Sequence, residues 1–162
     1  MLGLAEEVIV GQKITPNLWF DHNAKEAIDY YLSVFQDSKI VNISYYPKSA
    51  EDGLADFQSD LAGKELAIDF ELNGQRFTAI NADSTFKFNE SVSFAISCKD
   101  QDEIDYYWEK LSAVPESEQC GWCKDKFGLS WQVIPANLEE LMKRPQAFAR
   151  MMKMHKLVIE DF

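Results

Sequence analysis

The chain has 162 residues, 46% of them apolar and 13% aromatic, enough for one domain or for two small repeats sharing a core. Its formal net charge of −11, with no local cluster of Lys and Arg to offset it, excludes nucleic acid and anionic membrane surfaces as expected partners. The first residues, MLGLAEEVIVG, are too short to span a membrane, lack a basic start and carry Glu6 and Glu7, so they are not read as an export signal. Three cysteines, an odd number, argue against a disulfide framework, and a cytoplasmic protein is expected.

Residues 1–12 are expected to be an extension. From Ile14 to Phe20 the chain alternates as a strand, with Leu18 and Phe20 on one face and Thr15, Asn17 and Trp19 on the other; Pro16 restricts it to an early or edge position. Asn23 suits the N-cap of a helix in which Ala27, Tyr30 or Tyr31, and Val34 recur at helical spacing up to Phe35. A strand from Lys39 to Tyr46 closes at Pro47. The acidic stretch from Lys48 to Lys64 has no clear period and is expected to be a loop, a candidate lid. Glu65 to Leu72 alternates Ile68, Phe70 and Leu72 against Ala67, Asp69 and Glu71, and Asn73-Gly74 is a hairpin signal leading into Gln75 to Ala82. The first half therefore reads β-α-β-β-β.

The same order recurs, shortened. Ser91 to Cys98 reads as a strand with Val92, Phe94, Ile96 and Cys98 on its apolar face. Asp100 and Glu103 then form a capping-box-like start to a helix bearing Ile104, Tyr107, Trp108 and Leu111. Val114 to Ser117 is a short connection where the first half has a full strand. Glu118 to Pro135 reads as a hairpin about an Asp125 to Gly128 turn. Its second strand buries Leu129, Trp131 and Val133 and leaves Ser130, Gln132 and Ile134 on a face able to line a cavity. Asn137 to Lys143 and Gln146 to Met154 are expected to be helical, interrupted by Arg144-Pro145. In the tail, Lys156 to Phe162, the side chains of Leu157, Val158 and Ile159 must dock on the core or on a second subunit.

With FDHNAKEAIDYYLSVF, FKFNESVSFAISCKDQDEIDYYWEKL and EQCGWCKDKFGLSWQVIPA, the chain resembles the vicinal oxygen chelate superfamily, also called glyoxalase/bleomycin resistance/dioxygenase proteins. Within it the chain is similar to the PhnB-like branch, labelled 3-demethylubiquinone-9 3-methyltransferase-like. The resemblance covers roughly residues 13–136. It implies an α+β fold of two tandem βαβββ modules, about 13–82 and 91–136, forming a curled mixed sheet around a cavity, usually in a homodimer. Residues 137–162 would be a helical extension and tail. No glycine-rich strand-turn-helix fingerprint for a nucleotide-like methyl donor is present.

Metal-dependent members of the superfamily place His, Glu or Gln ligands on the first and last strand of each module, where a divalent ion polarises a substrate oxygen or binds dioxygen. The equivalent positions by alternation are Thr15, Thr78, Ser93 and Gln132. Hydroxyls and one amide are too weak to retain zinc, nickel or iron, so neither metal nor other cofactor is expected. His22, in the strand-to-helix turn, and His155 read as solvated surface residues. Cys120-Gly121-Trp122-Cys123 matches C-x-x-C but falls in a predicted strand, where residues three apart face opposite ways; ordinary packing is expected unless Gly121 forms a bulge.

Asp69 and Glu71 share a strand face and are the candidate catalytic carboxylates, a solvated outer face being the equally simple reading. Trp19, Trp122, Phe86 and Phe88 suit an aromatic lining or a packed core. Asn17, Ser93, Ser130 and Gln132 supply neutral polar groups, and with Thr15, Thr78, Trp19, Phe86 and Trp122 they make the expected ligand-binding set. The leading expectation is a metal-free homodimer that holds a small organic molecule. Two alternatives stay open. One is an enzyme of the same superfamily, of lyase, isomerase, dioxygenase or transferase type, acting on a small carbonyl, quinone-like or phosphonate-related metabolite. The other is an interaction module whose cavity is filled by its own side chains.

Overall fold

The computed structural model describes residues 12–162, so the readings made on residues 1–11 lie outside the described residues. The chain divides at residue 86 into two compact units. Both mix helix with sheet, as the α+β expectation requires, and each sheet is open at its edges. None of the described helices is long and apolar enough to cross a membrane.

The first unit runs β1 (Asn17–Asp21), α1 (Ala24–Val34), β2 (Lys39–Tyr45), β3 (Glu65–Leu72) and β4 (Gln75–Ala82), with sheet order β1-β4-β3-β2. β1 lies parallel to β4, and the other pairs are antiparallel. The period-two pattern does what alternation dictates: Leu18, Phe20, Ile68, Phe70, Leu72, Phe77 and Ala79 are buried, as are Ala27, Ile28, Tyr31 and Val34 of α1, which packs on β3 and β4. Phe70 and Phe77 stack at 5.4 Å between ring centroids. The Asn73-Gly74 turn has φ of 49° and 81°, the left-handed pair that matches the twist of the strands it joins.

Three details differ from the sequence reading. β1 begins at Asn17 rather than Ile14, because Pro16 has no N–H to give a ladder; its carbonyl still accepts from the Thr78 N–H at 3.0 Å. The Asn23 side chain makes no capping bond; the first helical N–H, of Ala24, is taken by the Asn81 side-chain oxygen at 3.2 Å. Buried Asn81 also donates to the Glu65 carbonyl at 3.0 Å, tying α1 to β3 through β4. The stretch from Lys48 to Lys64 contains two 3-10 segments, Ala50–Asp52 and Asp56–Leu61. Its ends are drawn together by bonds from Tyr46 N to Lys64 O at 2.9 Å and from Gly63 N to Pro47 O at 3.1 Å.

The second unit runs β5 (Ser93–Cys98), α2 (Gln101–Leu111), β6 (Trp122–Lys124), β7 (Ser130–Pro135), α3 (Leu138–Leu141) and α4 (Ala147–Met151), with sheet order β5-β7-β6. β5 is parallel to β7 and β6 antiparallel to it. Asp100 caps α2, accepting from Glu103 N at 2.9 Å, which contributes about 1 kcal/mol. Ile104, Tyr107 and Leu111 are buried, while Val92, expected on the apolar face, precedes the strand and is 61% exposed. Where the first unit has β2, this unit has a 3-10 turn at Pro115–Ser117. Leu141, Ala147, Leu157 and Phe162 form a second buried cluster with Ile134 packed on it, so Leu157 of the tail docks on the core of its own unit.

The C-x-x-C segment is a turn at its start, not a strand: Cys120 and Gly121 both have positive φ, at 51° and 86°. A Cβ at Gly121 would meet the Leu157 side chain and the Val133 carbonyl at 3.0 Å, so glycine is needed there for space as well as for φ. All three cysteines are free; burial pushes the thiols of Cys98 and Cys123 up to about 12.

Asp125 anchors the β6–β7 turn and is 1% exposed. One carboxylate oxygen accepts from Phe127 N at 2.8 Å and Leu129 N at 3.1 Å; the other accepts from the Trp131 indole N–H at 2.8 Å. Asp125→Ala leaves these donors without their acceptor and is expected to cost roughly 3–5 kcal/mol in urea unfolding, with Asp125→Asn losing about half as much. A loss below about 1 kcal/mol for the alanine variant would show that the turn holds without the carboxylate.

Candidate functional site

The two sheets each bury one face against a helix, and the candidate residues lie on the other. In the first unit the register aligns Asn17, Thr78 and Asp69 in a row across β1, β4 and β3. Thr78 Oγ1 donates to Asp69 Oδ1 at 2.6 Å, and Glu71 pairs with Arg76 at 3.3 Å and more loosely with Lys39 at 3.9 Å. Both candidate carboxylates thus have partners on neighbouring strands. Thr15 stands before β1, its carbonyl accepting from Asn17 Nδ2 at 2.9 Å; Asn17, not Thr15, is in register with Thr78. Trp19 donates its indole N–H to the Asp83 carbonyl at 2.8 Å and meets Phe86 edge-on at 4.9 Å. Phe86 is 61% exposed, so this aromatic pair is a surface feature with one ring fixed, not core.

In the second unit Ser93, Ser130 and Lys124 form a row across β5, β7 and β6, with Ala95, Gln132 and Trp122 in the next row. Gln132 Nε2 donates to Ser93 Oγ at 2.9 Å. Ser130 is 1% exposed and its hydroxyl has no hydrogen-bond partner among the described residues. Lys124 is ion-paired with Glu90, whose carboxyl is held below the usual carboxylate range by that ammonium. Sequence reading singled out Ser93, Ser130, Gln132 and Trp122 as candidates and passed over Lys124, although period two places it on the Trp122 face. Glu90 lies outside any strand, and no periodicity announces it.

The donor set does not fit a resident transition metal. At the positions where metal-dependent superfamily members carry ligands stand three hydroxyls, Thr15, Thr78 and Ser93, the last two engaged with neighbours, and one amide engaged with Ser93. Among the described residues no group of three or more His, Cys, Asp or Glu is placed to hold an ion.

His22 lies at the surface, as its sequence position suggested, and there it is paired with two carboxylates. It sits at φ 61° at the end of β1, half-exposed, with Nδ1 at 2.5 Å from Asp21 and Nε2 at 2.6 Å from Asp60. Asp60 belongs to the 48–64 stretch, so the imidazole fastens that loop to the β1–α1 turn. The Asp21 hydrogen bond is the largest cause of its raised pKa; desolvation opposes it, and the Asp60 bond and both carboxylate charges add to the rise. Asp83, held below the usual carboxylate range first by Thr85, adds a further acidic group nearby. His155 is 66% exposed and 3.6 Å from Glu118.

Comparison with known proteins gives a family. The profile described as 3-demethylubiquinone-9 3-methyltransferase matches residues 12–134. Among solved structures, a PhnB protein from Bacillus cereus, described with the same methyltransferase name, is 34% identical with a TM-score of 0.61, over 77% of this chain and 100% of that one. A Pseudomonas aeruginosa protein is 17% identical with a TM-score of 0.57, over 77% of this chain and 98% of its own. The fosfomycin resistance protein FosX from Mesorhizobium loti is 14% identical with a TM-score of 0.52, over 84% and 99%. The last two share the fold. No curated protein matches the chain.

The His22 bridge predicts a pH dependence of defined sign. A histidine with a raised folded pKa contributes stability that is fully present below its ordinary value of 6.5 and is lost as pH rises through the raised value. The stability difference between the protein and His22→Gln is therefore expected to be largest in mildly acidic solution and to vanish on the alkaline side. By NMR, His22 should titrate above 6.5, and Asp60→Asn should move its midpoint down. A midpoint at or below 6.5 would mean that the bridge is not formed in solution.

Proposed function

Because the chain belongs to the 3-demethylubiquinone-9 3-methyltransferase family, the PhnB-like branch of the vicinal oxygen chelate superfamily, we propose that it is a small-molecule-binding homodimer of the cytoplasm that works without a metal. The observation that carries this reading is the pairing of Ser93 with Gln132. Residues at metal-ligand positions of the superfamily are here a hydroxyl and an amide bonded to each other at 2.9 Å. Neutral groups of this kind orient a ligand through hydrogen bonds and transfer no proton at neutral pH. Trp122 stands in register with Gln132; in the first unit, separately, Trp19 has its N–H fixed on Asp83. Asp69 and Glu71, the acid/base pair of the enzyme reading, are each bonded to a neighbouring strand, which favours binding over proton transfer.

Native mass spectrometry of the purified protein tests the reading. The expected spectrum is a dimer carrying an organic adduct and no metal, with the adduct reduced at least tenfold in Gln132→Ala and in Trp19→Ala while both variants stay folded. A dimer with one metal per subunit would overturn the reading and put an enzyme of the superfamily in its place.

A further inference from the structure

We propose that the face of the second unit opposite α2 is an oxyanion site, taking a carboxylate or phosphonate group attached to a flat apolar body. The proposal rests on the binding role above and names the chemistry of the ligand. It starts from Ser130, whose hydroxyl is buried and unpaired among the described residues. Buried hydroxyls are nearly always satisfied, and one that is not costs the fold free energy with no return in stability. A ligand atom that completes the bond supplies the reason to keep it.

The donors around Ser130 set the sign of that atom. Ser93, its partner across β5, already accepts from Gln132 Nε2, so the Ser93 proton is left to donate elsewhere. Lys124, its partner across β6, carries an ammonium and no acceptor at all. Two hydroxyls and one ammonium stand in one row across three strands, and a group rich in lone pairs and negatively charged answers all of them. In a chain of net charge −11, an anion is not drawn by the overall field, which leaves local donors to hold it. Trp122, in the row beside Lys124 and across from Gln132, offers its ring to the body of the ligand.

Glu90 gives the second, independent sign. An exposed carboxylate from the segment before β5 already rests on Lys124, in the role that a ligand carboxylate would take. The ligand therefore exchanges with Glu90. A ligand that draws the ammonium away from Glu90 also moves the side chain standing beside Ser130, opening the hydroxyl as the site fills. Glu90 is thus a built-in competitor, and removing its charge strengthens binding.

The test titrates the full-length protein with benzoate, phenylphosphonate and the neutral benzamide, read by tryptophan fluorescence and by amide shifts of residues 93–97 and 130–134. Benzoate or phenylphosphonate is expected to bind at least tenfold more tightly than benzamide, and the stronger of the two identifies the oxyanion. Glu90→Gln should tighten that probe severalfold, and Lys124→Met should weaken it at least tenfold. Ser130→Ala should also weaken it while unfolding at the same or a higher denaturant concentration, an outcome that a structural serine would not give. Equal binding of benzoate and benzamide, or unchanged affinity in Glu90→Gln and Lys124→Met, overturns the oxyanion assignment and leaves the binding role standing. Absence of binding by all three probes, with no adduct on the native dimer, overturns both.

Discussion

The buried carboxylate of Asp125 is the constraint from which the second unit's surface follows. A charge out of water is tolerated only when hydrogen bonds replace its hydration, and here two backbone N–H groups and an indole do so. Because one of those donors is the side chain of Trp131, the turn and the strand are fixed together. Trp131 faces α2, its ring 5.9 Å from that of Phe94, so Leu129 and Val133 face the same way and Ser130 and Gln132 must face the other. A slip of one residue would exchange the two sets. The carboxylate thus decides, from a turn, which side chains the candidate face presents.

Alternation made much of this legible before any coordinates. β3 and β4 fall where the period-two pattern and Asn73-Gly74 place them, since a buried face and a two-residue turn leave little freedom in register. The helix at Gln101–Leu111 announced itself through Asp100 and Glu103. Asn81 was not legible as a cap for α1, because its partner is 57 residues away and only the parallel closure of β1 on β4 brings them together. The pairing of His22 was missed for the same reason: Asp21 is its neighbour in sequence, but Asp60 arrives from the 48–64 stretch. Residue types told which groups were neutral on the candidate face. They did not tell that Glu90 pairs with Lys124 there, because Glu90 lies outside any strand and carries no periodic signal.

Both units use the same device, a parallel pair closed through a helix, β1 on β4 in one and β5 on β7 in the other. Their candidate faces nevertheless differ in chemistry. The first unit sets carboxylates against Thr78, Arg76 and Lys39, a network closed upon itself. The second carries hydroxyls, an amide and one ammonium, with a donor to spare. With no strand in the place of β2, the second sheet ends on β6, whereas β3 of the first sheet is covered by β2.

The docking of Leu157 and Phe162 into the cluster around Leu141 bears on how the chain is made as well as on how it stands. The first unit is built from residues up to 86 and can close while synthesis continues. The second cannot. Gln101 waits for the Leu157 carbonyl and the Ile159 N–H, and the Cys120–Gly121 turn waits for the carbonyls of Met154 and His155. Until residues 154–159 have left the ribosome, α2 and the β6–β7 hairpin lack these partners. The half bearing Ser130 and Lys124 therefore depends on a segment made later than the strands and helix it ties together.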